Sequence, residues 1–300
     1  MEDGGVLHWY PTWQQAVLAA LVLVVVGRLL RRSRPGPGAF LWEAGVLLGL
    51  FGLWQLAGRV AAHAPTGATA HGEQVWDWER TLHLPSEASV QNLLLPHHST
   101  VHLFNGYYAY AHVNGLLLTF LWLFLRHRDR YAWARTVVAL TTFACLAVQL
   151  VPVTPPRLLP TGSGGHGIVD TATVYGQSVY GPLGQGLSDQ YAAMPSVHIA
   201  WAAAIAVLTL RLGQGLGRYL GPAHLVVTTA VVVGTGNHYW LDGVVAALLL
   251  VAAMAVVQRL APSADRVAAR QPLEVEVPAE VGWHGGSADR SEERPALPAI

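Results

Sequence analysis

Apolar residues gather in seven runs of about 18 or more positions, near 13–30, 39–60, 103–125, 134–152, 195–212, 219–236 and 239–258. Each run is long enough to cross a hydrocarbon layer of roughly 30 Å as a helix rising about 1.5 Å per residue. The pattern predicts an all-α fold, a polytopic membrane helical bundle. Arginines between the runs set its orientation, because cytoplasmic loops are enriched in basic residues. With the N-terminus outside, Arg28, Arg31, Arg32 and Arg34, then Arg126, Arg128, Arg130 and Arg135, then Arg211 and Arg218, then the arginines from Arg259 onward all lie inside. Only Arg59, Arg80 and Arg157 lie outside, and adding or losing a middle span would scramble that split. The run Trp13–Leu30 lacks a basic start and a small-residue cleavage site, so it reads as a retained anchor. The expected organisation is an anchor helix with a basic cytoplasmic loop over 1–38, a six-helix membrane domain over 39–260, and a polar tail over 261–300 read as a disordered cytoplasmic extension.

Two segments assigned to the outside are long. Residues 61–102 mix Trp76, Trp78, Leu82, Leu84, Val90, Leu93 and Leu94 with Glu73, Asp77, Glu79, Arg80 and Glu87, a composition suited either to an amphipathic helix in the interface or to a surface helix packed on the bundle. Residues 153–193 are rich in Gly, Ser and Tyr, carry Pro155, Pro156, Pro160 and Pro182, and show no periodicity. A loop of that length in a compact domain is often functional, and its two ends carry the polar motifs described next.

Composition narrows the chemistry. The chain is 52% hydrophobic and 12% charged, which excludes an ordinary soluble domain, and its formal net charge of zero gives no basic field for nucleic acid. All basic residues are arginines, so no lysine nucleophile or Schiff base exists. The single cysteine, Cys145, falls in a predicted span, where packing is its expected role; it permits no intramolecular disulfide and no multi-cysteine metal site.

Three polar blocks stand beside the apolar runs: Pro155-Pro156-Arg157, Ala193-Met194-Pro195-Ser196-Val197-His198, and Gly236-Asn237-His238-Tyr239-Trp240-Leu241-Asp242. The arginine split places all three on the extracytoplasmic face. Phosphoryl transfer needs a nucleophile, cationic or N–H donors around the phosphate oxygens, and an acid for the leaving oxygen. His238 and Asp242 are four residues apart at the start of a helical run, so the carboxylate can fix the imidazole tautomer and leave the other nitrogen to attack phosphorus. Pro195 and Ser196 open the fifth span, whose N-terminal N–H groups and Ser196 hydroxyl suit a phosphate. His198, in that first turn, is the candidate general acid, and Arg157 supplies a planar bidentate cation. The scheme needs no metal or other cofactor, although His238, Asp242 and His198 could together hold zinc; Asp242 is better explained as the orienting group. Ionisable residues at membrane depth tend to be functional. By contrast, His97, His98, His102 and His112 read as interfacial or packed histidines, Tyr107, Tyr108, Tyr239 and Trp240 as belt or packing aromatics, and Asn105 as a polar helix contact. Gly234, Gly236 and Asn237 read as the turn that positions His238.

These blocks, with Asn105-Gly106-Tyr107-Tyr108 and His112, resemble the type 2 phosphatidic acid phosphatase superfamily over roughly residues 39–258, in particular its branch related to fungal inositol phosphorylceramide synthase. The resemblance implies a six-helix core, here with one extra N-terminal transmembrane helix, and an extracytoplasmic or lumenal site. It also implies a covalent phosphohistidine at His238 and a general acid at His198, without a metal. The chain departs from the phosphatase branch at Leu150, where that branch has a lysine, at Leu158 after the arginine, at Val197 in place of glycine, and at Val231 and Val232 in place of Ser-Arg. Two phosphate-binding cations are therefore missing, which favours the inositol phosphotransferase-like branch over phosphatidate hydrolysis.

The function expected is a lipid phosphatase or phosphotransferase in a bacterial plasma membrane, its site facing outward. Its partners would be a lipid phosphate substrate, an alcohol acceptor such as inositol, and membrane lipids. The alternative is a non-catalytic lipid-phosphate binding or transport protein that kept the site. A membrane scaffold, a third reading, draws only on the extra helix and the tail.

Overall fold

The computed structural model describes residues 11–61, 67–160, 166–176 and 190–260, with the side chains of 57–61 outside that description. The expectations for the 261–300 tail, Arg59, Pro182 and most of the stretch between Tyr175 and Gln190 fall outside it. Among the described residues ten α-helices follow one another: α1 (Trp13–Leu30), α2 (Pro35–Ala61), α3 (Ala68–Thr81), α4 (Glu87–Leu94), α5 (His98–Arg126), α6 (Arg128–Gln149), α7 (Thr171–Tyr175), α8 (Val197–Leu212), α9 (Leu220–Gly234) and α10 (Trp240–Leu260). No strand occurs among the described residues; the single Val153–Ala192 bridge is the one extended pairing. The chain is thus an all-α membrane bundle, in which α1, α2, α5, α6, α9 with the turn before it, and α10 are long and apolar enough to span a bilayer.

The fifth predicted span behaves differently. Helix α8 has only 16 residues, about 24 Å of helix, because Ser196 caps its start and the chain leaves helical geometry at Gly213. It packs against α5, α6, α9 and α10, and its small apolar face from Ala200 to Ala206 is buried. A helix enclosed by other helices meets protein rather than lipid, so the bilayer does not dictate its length. Close approach to α10 is made possible by Gly243, where a Cβ would stand 2.8 Å from Ile199 Cδ1.

Helices α1 and α2 form a hairpin. A Thr12–Gln15 capping box starts α1. The seam is made of small residues, with added Cβ atoms at Gly27 and Gly38 meeting the opposite backbone at 2.5 Å, the packing expected where helix association in lipid relies on close backbone contact. Helix α2 reaches the rest of the bundle through α6 and the Glu43–Arg135 ion pair.

Residues 61–102 do not form one interfacial helix. The chain breaks between α3 and α4 at His83, with φ of 57°, and Pro85, and the two short helices pack on α10 and α9 respectively. The reason lies in their polar residues: Glu79, Glu87 and Gln91 are buried, Glu79 accepting the Leu241 N–H, Glu87 paired with Arg80 and Gln91 bonded to the Val169 backbone, so this face must turn toward protein. The surface-helix alternative describes it better than the interfacial one.

Candidate active site

Helix α10 begins just after His238, and its first backbone N–H groups lack intrahelical acceptors. Asp242 in the first turn accepts the Tyr239 N–H at 2.9 Å, and Glu79 Oε1 accepts the Leu241 N–H at 2.8 Å. His238 therefore precedes the helix rather than opening it, yet it still shares a face with Asp242. Before it, Gly236 takes φ of 67°, and a Cβ there would meet Ile168 Cγ2 at 2.7 Å, so both the turn and the space require glycine. The Asn237 and His238 N–H groups both donate to the Val232 carbonyl, at 3.0 and 3.1 Å.

The imidazole of His238 is 4% exposed. Its Nδ1 lies 2.8 Å from the Ala193 carbonyl and 3.1 Å from Asp242 Oδ2. Both partners accept only, so Nδ1 carries the proton and Nε2 presents a lone pair. His198 Nδ1 lies 3.2 Å from that Nε2, and the same bookkeeping puts a proton on His198 Nδ1. Asp242 Oδ1 is buried without a hydrogen-bond partner. Asp242, His238 and His198 thus meet in one chain of contacts.

His198 occupies the first turn of α8, as its position in the sequence indicates. Ser196, however, is fully buried as the N-cap and its hydroxyl accepts the Ile199 N–H at 3.3 Å, while Pro195 precedes the helix instead of lying in its first turn. The Ser196 N–H donates to the Asp242 carbonyl at 3.2 Å, which ties the starts of α8 and α10 together. Upstream, Gln149 Nε2 donates to the Pro195 carbonyl at 2.9 Å, and the Val153 bridge fixes the Ala193 carbonyl beside His238.

Arg157 comes to the same place from a third segment. Its backbone N–H donates to the Gly236 carbonyl at 3.0 Å, its Nε to Asn237 Oδ1 at 2.8 Å, and its Nη1 to Asp170 Oδ2 at 2.9 Å. The side chain is 3% exposed, held by the residue next to His238 and balanced by a carboxylate from the 153–193 segment. That segment is anchored at two further points. Gln91 exchanges two hydrogen bonds with the Val169 backbone, and Asn105 donates to the Thr171 and Gly176 carbonyls while accepting from the Thr171 hydroxyl. Asn105 is thus a polar contact to the start of α7, as expected, and also anchors the residue that follows that helix.

Several residues at the site are not singled out by the sequence. Asp170, Gln91 and Glu79 lie in aperiodic or amphipathic stretches with no motif around them. His112, read as a packed histidine, stacks on His198 with ring centroids 4.5 Å apart, and Tyr108 stacks on His198 at 4.6 Å. The signal available for both was their spacing from Asn105 on one face of α5. His97, His98 and His102 have no contact with the His198–His238 pair, and His98 and His102 instead pack on Tyr175. No group of three or more His, Cys, Asp or Glu side chains placed to hold a metal ion occurs among the described residues.

Glu79 and Glu87 are both fully buried and both lie near Arg80, at 3.5 and 3.2 Å. Burial, reinforced by the hydrogen bond and charge of Glu87, pushes the Glu79 carboxyl up to about 9, so at neutral pH it is protonated while accepting the Leu241 N–H.

An all-α membrane bundle whose histidine pair, carboxylate and arginine gather at the starts of two helices defines a class of membrane phosphoesterase-type protein. The sequence profile of the PAP2 superfamily matches residues 73–256, from α3 to α10, and the chain belongs to that superfamily. No curated protein and no solved structure matches the chain.

Proposed function

We propose that the chain is a membrane-embedded phosphotransferase or phosphatase of lipid phosphoesters that works through a phosphohistidine on His238, and that transfer to an alcohol, as in inositol phosphotransferases, is its main reaction. Superfamily membership supports phosphoesterase-type chemistry on lipid phosphates. The observation that carries the finer reading is the His238 contact set, with Nδ1 tied to two acceptors and Nε2 facing His198.

In the first half-reaction His238 Nε2 attacks phosphorus, the bond to the lipid alkoxide breaks, and the His198 Nδ1 proton goes to the departing oxygen. In the second, an acceptor hydroxyl gives its proton to His198 as its oxygen attacks phosphorus, and the N–P bond breaks. Asp242 stabilises the charge that develops on the His238 ring. Arg157 and the N–H groups at the start of α8 hold phosphate oxygens. Ser196 serves that site through the cap it gives α8, since its hydroxyl is already committed.

Charge favours a phosphodiester over a phosphomonoester. Arg157 is balanced by Asp170, and the positions of two further cations in the phosphatase branch are Leu150 and the buried Val232. A singly charged diester asks for less positive charge than a doubly charged monoester. The Asp170 segment, bonded to Arg157, would limit water at the phosphoenzyme. The reading puts this site at the extracytoplasmic face of a bacterial plasma membrane.

The test is turnover of radiolabelled phosphatidylinositol, phosphatidate and polyprenyl phosphate by purified protein in nanodiscs, with and without myo-inositol and other alcohols. The expected outcome is consumption of phosphatidylinositol with release of diacylglycerol, and a labelled inositol phosphodiester of the acceptor appearing only when acceptor is present. Turnover of none of them, with tight lipid-phosphate binding retained, would instead support the non-catalytic binder.

A further inference from the structure

Beyond His198 a line of polar rings continues into the bundle. His112 stacks on His198, and the His112 and His224 ring centroids are 6.3 Å apart. His224 Nδ1 lies 2.5 Å from the Tyr107 hydroxyl, which also reaches Thr228 Oγ1 at 3.2 Å. His112 is 3% exposed, and both its ring nitrogens are buried with no hydrogen-bond partner, as is His224 Nε2. Three unsatisfied imidazole nitrogens between apolar helices ask for a reason. Packing alone would be served by phenylalanine or leucine at either position, with no polar group to bury.

Glycine marks where the gap lies. Gly115 sits one turn from His112 on the same face of α5, and a Cβ there would stand 3.5 Å from His224 Nε2 and 3.7 Å from Ile205 Cδ1. The missing side chain leaves room between α5 and α9 beside the unpartnered nitrogens. A water in that room would lie beside His224 Nε2, with His112 one turn away on α5.

We propose that His112, backed by His224 and Tyr107, is a proton-carrying file that serves His198 from the interior of the bundle. The proposal rests on the roles of His198 and His238 given above. A neutral imidazole is a poor acid, so His198 must hold a second proton, on Nε2, when it gives the Nδ1 proton to the leaving alkoxide. The file lends that proton, taken up at His112 from bulk as the anionic lipid phosphate enters and before the lipid covers the site. After transfer His198 is neutral with its proton on Nε2. The acceptor hydroxyl then returns a proton to Nδ1 as the new O–P bond forms and the N–P bond breaks, and the borrowed proton goes back to His112. Protons balance over the cycle, and none needs to come from bulk water while lipid and the Asp170 segment cover the phosphohistidine. The file thereby separates access of protons from access of water, which is what a transferase needs to avoid hydrolysis. The titratable groups around His112 are His198 from α8, His238 before α10 with Asp242 behind it, His224 from α9, and Tyr107 and Tyr108 on its own helix.

The experiment compares two leaving groups. Dioleoyl phosphatidylinositol and dioleoyl phosphatidate leave as alkoxides and need an acid, whereas hexadecyl p-nitrophenyl phosphate leaves as a stabilised phenolate and does not. For His112→Phe the expected result is a loss of about tenfold or more on the lipid that wild type turns over, partly recovered between about pH 8 and about pH 6 as bulk protons substitute for the file. The p-nitrophenyl ester should stay within about twofold of wild type. His224→Phe should show the same split, and covers the case in which His112→Phe does not fold. Equal losses on both substrates in both variants would mean a structural role and overturn the proposal, as would undiminished lipid turnover. Failure of the underlying site reading looks different: His238→Ala would then keep activity on both substrates, or wild type would turn over neither.

Discussion

The proton on His238 Nδ1 is fixed by two acceptors, and one of them is a carboxylate whose second oxygen has no hydrogen-bond partner. Asp242→Asn keeps the shape but can point an amide N–H at Nδ1, which drives the proton to Nε2 and blocks attack. Loss of kcat by roughly 10²–10⁴-fold with little change in KM is expected from single-turnover kinetics. Arg157→Lys removes the fork that reaches Asn237 on one side and Asp170 on the other, and a point charge cannot reproduce both contacts. A fall of at least about tenfold in kcat/KM follows, read from initial rates over a range of lipid mole fractions. Chemistry at this scale was only partly legible in the sequence. His198, His238, Asp242 and Arg157 sit in short polar blocks beside apolar runs, where an ionisable residue demands an explanation. His112 sits inside a run as a lone histidine, which more often means packing. Asp170 is an acid in a Gly- and Ser-rich stretch, and no local pattern says that it will meet an arginine 13 positions earlier.

Helix starts, more than helix bodies, carry the site. The first turn of α10 is capped by Asp242 from within and by Glu79 from α3, while α8 is capped by Ser196 and tied to α10 through the Asp242 carbonyl. Glu79 ionises near its ordinary value of 4.5 when unfolded but only at about 9 when buried beside Glu87. The unfolded chain therefore holds fewer protons than the folded one between these values, and stability falls as pH rises through that window and levels off above it. Thermal unfolding in detergent should show a Tm that declines from about pH 6 to about pH 9 in wild type and declines less in Glu79→Gln. Equal slopes for the two proteins would remove Glu79 from this role. Element positions were readable from apolar run length, and α1, α2, α5, α6, α9 and α10 each overlap a predicted span, with ends that differ by up to six residues. The misreadings have physical causes. Helix α8 is shortened by its cap and enclosed by protein, and the break between α3 and α4 goes with buried polar side chains, two of which, Glu79 and Gln91, find their partners at Leu241 and Val169, far along the chain.

Across the whole molecule the superfamily match begins within α3 and ends within α10, so the α1–α2 hairpin stands outside it, attached to the bundle mainly through α6. Orientation is the property at this scale that arginine counting proposes and labelling can decide. Leu93 on α4 and Leu216 in the turn before α9 are 75% and 87% exposed, and Cys145 is fully buried. In intact cells a membrane-impermeant maleimide should modify Leu93→Cys at once, and Leu216→Cys only after permeabilisation. The reverse pattern would put the site in the cytoplasm. One measurement bears most directly on the chemistry. Purified wild type and His238→Ala are mixed briefly with lipid labelled at phosphorus, quenched in alkali and then exposed to acid. Alkali-stable, acid-labile label on wild type and none on the variant is the predicted result; label that survives on His238→Ala, or turnover without any label in either protein, would contradict a phosphohistidine at His238.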